Sequence, residues 1–160
     1  MDEILESNYA EICNLQVKHL SNRHGVDWDE GLAEIGGEAA VTLAKERLFH
    51  QVHAFGVQEY FDETWVAIWN SLQIKPPVYA TKNRGKQKFA FTPQQEEKIR
   101  ELNELDIALY AAAKLEFERR LEYGTFPQEI FESFRRRQER MGSLVSLVRN
   151  TSSQAYWSYR

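Results

Sequence analysis

The chain has 160 residues, enough for one domain core and for two only with strain. With 42% hydrophobic and 28% charged residues it reads as globular rather than disordered. No apolar run approaches the roughly 20 residues needed to cross a bilayer, and residues 1–20 are acidic where a secretory leader would be basic and apolar. The net charge of -4 is uneven, because residues 1–70 carry 13 acidic and 4 basic side chains and residues 71–160 carry 11 and 16. That balance disfavours a general nucleic-acid binder and steers any anionic partner to the second half.

In chain order, Ile4, Leu5, Ile12, Leu15 and Leu20 recur at spacings that predict two short helices over 1–20, with Ser7 and Asn8 as a cap between them. Cys13 has no second cysteine to pair with, and between Ile12 and Leu15 it reads as a small core residue in a reducing compartment. Residues 21–38 hold four glycines among polar residues and predict a loop, with a helical turn around Trp28. Ala40, Leu43, Ala44 and Leu48 predict a helix from Glu38 to His50. The run Val52, Ala54, Phe55, Val57 predicts a short buried strand. Asp62 stands where a cap should precede the stripe Trp65, Ile68, Trp69, Leu72, a helix over 62–73 that Pro76-Pro77 would end.

The strongest start signal is Thr92-Pro93-Gln94-Gln95, a capping box with proline at the first helical position. From it a continuous helix is predicted over 93–123, with the stripe Ile99, Leu102, Asp106, Leu109, Ala113, Phe117, Leu121 and Gly124 as terminator. A further helix over 127–140 starts at Pro127 and buries Ile130, Phe131 and Phe134. Ser143 to Arg160 is a mixed tail that carries Tyr156, Trp157 and Tyr159 and no docking signal. The expected fold is mainly α with at most a few short strands.

Three constellations could carry chemistry. Lys82, Asn83, Arg84, Gly85 and Lys86 lie in a basic segment without an acid, flanked by Tyr79, Phe89 and Phe91. A glycine between two cations can present backbone amides and side-chain donors to one phosphate, and the flanking rings can stack a purine, although most such loops are only solvated surface. Asp106 interrupts an apolar stripe, so its carboxylate must find a partner. A structural ion pair or a helix cap is the usual outcome and acid–base work the rarer one, with Tyr110 as the nearest hydrogen-bonding neighbour. His50 and His53 have metal-compatible spacing but no companion ligands, so no metal is expected. Arg135, Arg136, Arg137 and Arg140, interleaved with Glu132 and Glu139, read as a helix exterior.

Several blocks, taken in order, resemble one family. EAAVTLAKERLFHQVHAFGVQEYFDE (38–63), the basic TKNRGKQK segment, ELNELDIALYAAAKLEFERRL (101–121) and ESNYAEICNLQVKHLS (6–21) are similar to the later part of carbohydrate sulfotransferases of the heparan-sulfate 2-O-sulfotransferase type and their bacterial relatives. The third block matches the family pattern N.lD..lY through Asn103, Leu105, Asp106, Leu109 and Tyr110. The resemblance covers about 5–123, a sulfotransferase-like C-terminal region, and leaves 124–160 as a helical extension and tail.

The resemblance implies a helical fragment of an α/β, P-loop-like fold whose co-substrate is 3′-phosphoadenosine 5′-phosphosulfate (PAPS). It also implies that Lys82, Asn83, Arg84, Gly85 and Lys86 close over the nucleotide. The family's phosphosulfate loop and catalytic base precede the matched region. The chain is therefore expected to be a truncated or split copy, inactive without an N-terminal half, whose uncovered apolar surface seeks that half or a second copy. The alternative is a non-catalytic helical interaction module derived from the enzyme. No nucleic acid or membrane span is expected, and the compartment expected is cytoplasmic. An unbroken helix over 95–118 is required by both the fold reading and the resemblance.

Overall fold

The computed structural model describes residues 13–22, 27–79, 90–123 and 128–157, with backbone alone for 144–157. It is mainly helical and has no strand among the described residues. The helices are α1 (Leu15–Ser21), α2 (Trp28–Ile35), α3 (Gly37–His50), α4 (Phe61–Ser71), α5 (Pro93–Leu102), α6 (Glu104–Glu122) and α7 (Gln128–Trp157), with a 3₁₀ turn at Gln58–Tyr60. The Ser7-Asn8 cap, Gly124 and the Lys82–Lys86 segment lie outside the described residues.

The helix predicted to run unbroken over 93–123 is two helices, and that expectation is corrected. The capping box at Thr92 and Gln95 forms in both directions and Pro93 opens α5 as expected, but the chain breaks at Asn103. There the Asn103 side-chain amide donates to the Ile99 carbonyl at 3.0 Å and caps the end of α5. The predicted 21–38 loop contains α2, a full helix started by Asp27, whose carboxylate accepts the amides of Asp29 and Glu30. Gly36, with φ 84°, closes α2 and opens α3, so a single left-handed residue turns the chain between two helices.

The predicted strand at 52–57 is an irregular segment. No strand lies beside it among the described residues, and one threonine takes over what a ladder would supply. The Val57 amide donates to Thr64 Oγ1 at 3.1 Å, and the same hydroxyl donates to the Val57 carbonyl at 3.3 Å. A Cβ on Gly56 would stand 1.9 Å from Thr64 Cγ2, so this close approach requires glycine.

Asp62 lies inside the first turn of α4 and is not its cap. Pro76-Pro77 does not end that helix either. Gln73, at φ 57°, receives the chain in the left-handed region while the Ile74 amide donates to the Trp69 carbonyl and the Gln73 amide to the Asn70 carbonyl. This is a Schellman stop built on glutamine instead of glycine. On α4 the fully buried residue is Val66, which lies outside the predicted stripe Trp65, Ile68, Trp69, Leu72, and of that stripe Leu72 is exposed. Helix α7 begins near the predicted start and continues to Trp157, well past the predicted end at 140.

Two cores result. In the first, Val17, Ala40, Val41, Ala44 and Leu109 are buried, with Leu20, Leu32, Ile35, Leu48 and Leu105 packed around them. The alanines at 40 and 44 let α1 and α3 approach closely. In the second, Val66, Phe131 and Phe134 are buried among Trp65, Tyr79, Leu121 and Ile130. Helix α6 joins them, since Leu109 belongs to the first and Leu121 to the second.

Candidate functional site

Polar side chains from distant parts of the sequence meet at the junction of α1 and α6. Helix α1 has seven residues, too few to hold itself together, and both of its ends are satisfied by distant side chains. At its start the Asp106 carboxylate accepts the Gln16 amide at 3.0 Å and the Val17 amide at 2.8 Å. These are the second and third helical amides, the ones a local capping residue would otherwise take. At its end Arg47 Nη1 donates to the carbonyls of Leu20 at 2.9 Å and Asn22 at 2.7 Å. Negative charge at the amino end and positive charge at the carboxyl end also match the helix dipole.

The arrangement is reciprocal. Asn14, at φ 52° just ahead of α1, accepts through Oδ1 the amides of Leu105 at 3.0 Å and Asp106 at 3.2 Å, the second and third amides of α6. Asparagine is among the few non-glycine residues that occupy this left-handed region readily. The Asn14 amide in turn donates to Asn103 Oδ1 at 3.2 Å. Each helix start is thus capped by a side chain from the other. This clasp also explains the break at Asn103, because a continuous α5–α6 helix would leave no free amides for Asn14 to hold.

Glu59, from the GVQEYFDE stretch, reaches the same face. The Tyr110 hydroxyl donates to its carboxylate, and Lys114 Nζ lies 3.3 Å from it. The Tyr110 bond comes first in holding the Glu59 carboxyl below its ordinary range. The same bond, ahead of burial, pushes the Tyr110 hydroxyl above its own. With Gln16, Asp106, Ile107 and Ala111 these groups line a shallow cavity of about 480 Å³.

Chemically this is a structural junction. Both Asp106 oxygens are committed to backbone amides, and Tyr110 stays protonated at neutral pH. Of the outcomes weighed for Asp106, the helix cap is the one formed, and the hydrogen-bonding neighbour expected for it, Tyr110, turns instead to Glu59.

Of the aromatics flanking the basic segment, Phe91 is exposed and Tyr79 is built into the second core. The Tyr79 hydroxyl donates to Asp62, and its ring packs against Phe61, Trp65 and Phe134. Burial, then the Asp62 bond, push that hydroxyl up to about 12. It is not free to stack a purine. His53 donates through Nε2 to the Ser71 carbonyl at 3.2 Å and His50 is exposed, so the two do not form a ligand pair. Among the described residues no three histidine, cysteine or carboxylate side chains gather around a metal position. Arg137 departs from its expected place on the helix exterior, since its Nη1 donates to the Pro76 carbonyl at 2.7 Å.

The sequence hid most of the clasp. Asn14, Asn103 and Arg47 act on partners 25 to 92 residues away. The one visible signal was Asp106, a carboxylate on an apolar stripe. Protein-family models, curated proteins and solved structures were all compared with the chain, and none matches.

Proposed function

We propose that the chain is the C-terminal, largely helical portion of a sulfotransferase-like domain. It would supply a wall of the domain and the Lys82, Asn83, Arg84, Gly85 and Lys86 closure over PAPS rather than sulfuryl transfer itself. One observation carries this reading. Three blocks that resemble the family, 6–21, 38–63 and 101–121, meet at one junction: Asn14 and the Gln16 backbone amide from the first, Glu59 from the second, and Asn103, Asp106 and Tyr110 from the third. The resemblance thereby acquires a physical reason, because Asn14, Asn103 and Asp106 each cap a helix and Tyr110 holds Glu59.

The break at Asn103 counts against the reading, which requires one unbroken closing helix. The part of the block from Leu105 to Tyr110 nevertheless lies within α6, and the break itself creates the clasp. No group at the junction is poised as a nucleophile or general base, and the sequence contains no G-x-x-x-x-G-K-[ST] phosphate loop.

The second reading, a non-catalytic interaction module, draws on Ile107 and Leu115, which are 46% and 69% exposed on the outer side of α6 and leave that helix apolar beyond its buried face.

Calorimetry with 3′,5′-adenosine bisphosphate separates the two. The sulfotransferase reading expects weak, salt-sensitive binding in the millimolar range that Arg84→Ala removes without loss of helix content. No binding by the parent chain, or equal binding by parent and variant, would overturn the nucleotide assignment.

A further inference from the structure

A second cavity, of about 530 Å³, lies where the 70–76 turn meets the first turns of α7. Glu129, Ser133 and Arg137, spaced every four residues along one face of α7, form one wall. Gln73, Lys75 and Pro76 are among the residues opposite.

Arg137 is held in an unusual state. Its Nη1 donates to the Pro76 carbonyl and its guanidinium carbon lies 6.0 Å from the centre of the Phe134 ring, while its Nε is buried without a partner among the described residues. No carboxylate lies within ion-pair distance of it among the described residues. Glu129 is eight residues earlier in the helix, roughly 12 Å along its axis, too far to serve. Lys75, which is exposed, and the half-buried Ser133 hydroxyl on the same cavity have no side-chain hydrogen-bond or ion-pair partner among the described residues. A buried guanidinium donor without an acceptor is costly, and the donors of the same group that face the cavity are free to take an anion.

We infer that this cavity binds a small oxyanion (a phosphate, sulfate or carboxylate group) through Arg137, Lys75 and Ser133, with the ligand's carbon body against Ile74 and Ile130. Guanidinium and ammonium groups beside a hydroxyl are the donor set that oxyanions favour. Glu129 at the far end would accept from a hydroxyl or amine on the same ligand. The site is independent of the Lys82–Lys86 assignment and stands or falls separately.

The test is titration of the full 160-residue chain with inorganic phosphate, sulfate and acetate at low, constant ionic strength, followed by amide NMR shifts of residues 70–76 and 129–137. Saturable shifts are expected, and their ranking tells which oxyanion the cavity prefers. Lys75→Ala should weaken binding about 3–10-fold, and Arg84→Ala should leave it unchanged. Ser133→Glu places a carboxylate at the favourable i, i+4 position before Arg137. It should abolish binding while raising the melting temperature, since it supplies the missing acceptor from within. Absence of saturable shifts in the parent chain, or binding that survives both Lys75→Ala and Ser133→Glu, would overturn the site.

Discussion

The two cores are held by different physics. In the first, the side chains are small, and specificity comes from polar bonds at helix ends: Asp106 and Asn14 on the amides, Arg47 on the carbonyls. In the second, aromatic rings do the packing around an extended, non-helical segment whose backbone is satisfied by side chains one group at a time. Arg137 donates to the Pro76 carbonyl and Trp65 Nε1 to the Pro77 carbonyl at 2.7 Å. The Gln138 side-chain amide accepts the Tyr79 backbone N–H and donates to the Tyr79 carbonyl, each at 2.9 Å. Prolines suit that segment because they bring carbonyls to satisfy but no N–H. The difference teaches where each region is fragile. Removing volume should damage the second, and removing a single acceptor should damage the first.

The largest effect is expected from Phe134→Ala. Phe134 is fully buried and stacks on Tyr79, so its loss should cost about 3–5 kcal/mol. Denaturant unfolding measures the cost. Hydrogen exchange should show amides of α4 and the first turns of α7 opening before those of α1. Loss of protection first in α1 would mean that the cores are not separately held.

Asp106→Ala should come next, at about 2–3 kcal/mol, because two helix-start amides lose a charged acceptor. Asp106→Asn, which keeps an acceptor oxygen, should recover part of that loss. An alanine variant as stable as the parent would remove the clasp from the account.

The smallest effect lies on the exterior of α6. Arg119 first, and then Arg120, hold the Glu116 carboxyl at about 2 against burial. A depressed carboxyl contributes stability that is complete above the ordinary value of 4.5 and is lost as pH falls toward 2. Glu116→Gln should lower stability modestly near neutrality, where the pair is complete, and flatten the profile in that window, so that parent and variant converge at the acid end. An identical acid profile in the variant would show that the pair contributes nothing.

The sequence was legible wherever local chemistry decides the outcome. Thr92-Pro93-Gln95 predicted a cap that forms, the alanine and leucine spacing predicted α3, and the apolar pattern placed Phe131 and Phe134 in a core. Local signals were also misread. Asp27 followed by Asp29 and Glu30 starts a helix inside what the glycines marked as loop, and Gln73 ends α4 before the prolines can. The remaining misses are non-local. Whether 52–57 becomes a strand depends on a neighbouring strand. Whether the helix breaks at Asn103 depends on Asn14, 89 residues earlier in the chain. The basic segment singled out as the nucleotide site lies outside the described residues. The clasp was visible only as one carboxylate in an apolar row.

The central claim is that α1 and α6 are fastened by mutual capping, and a double-mutant cycle on Asn14→Ala and Asp106→Ala tests it most directly. Each residue caps the other's helix, so once either is lost the junction should loosen and the second substitution should cost less. The predicted coupling is at least about 0.5 kcal/mol. Costs that add to within about 0.3 kcal/mol would show two independent caps and contradict the account.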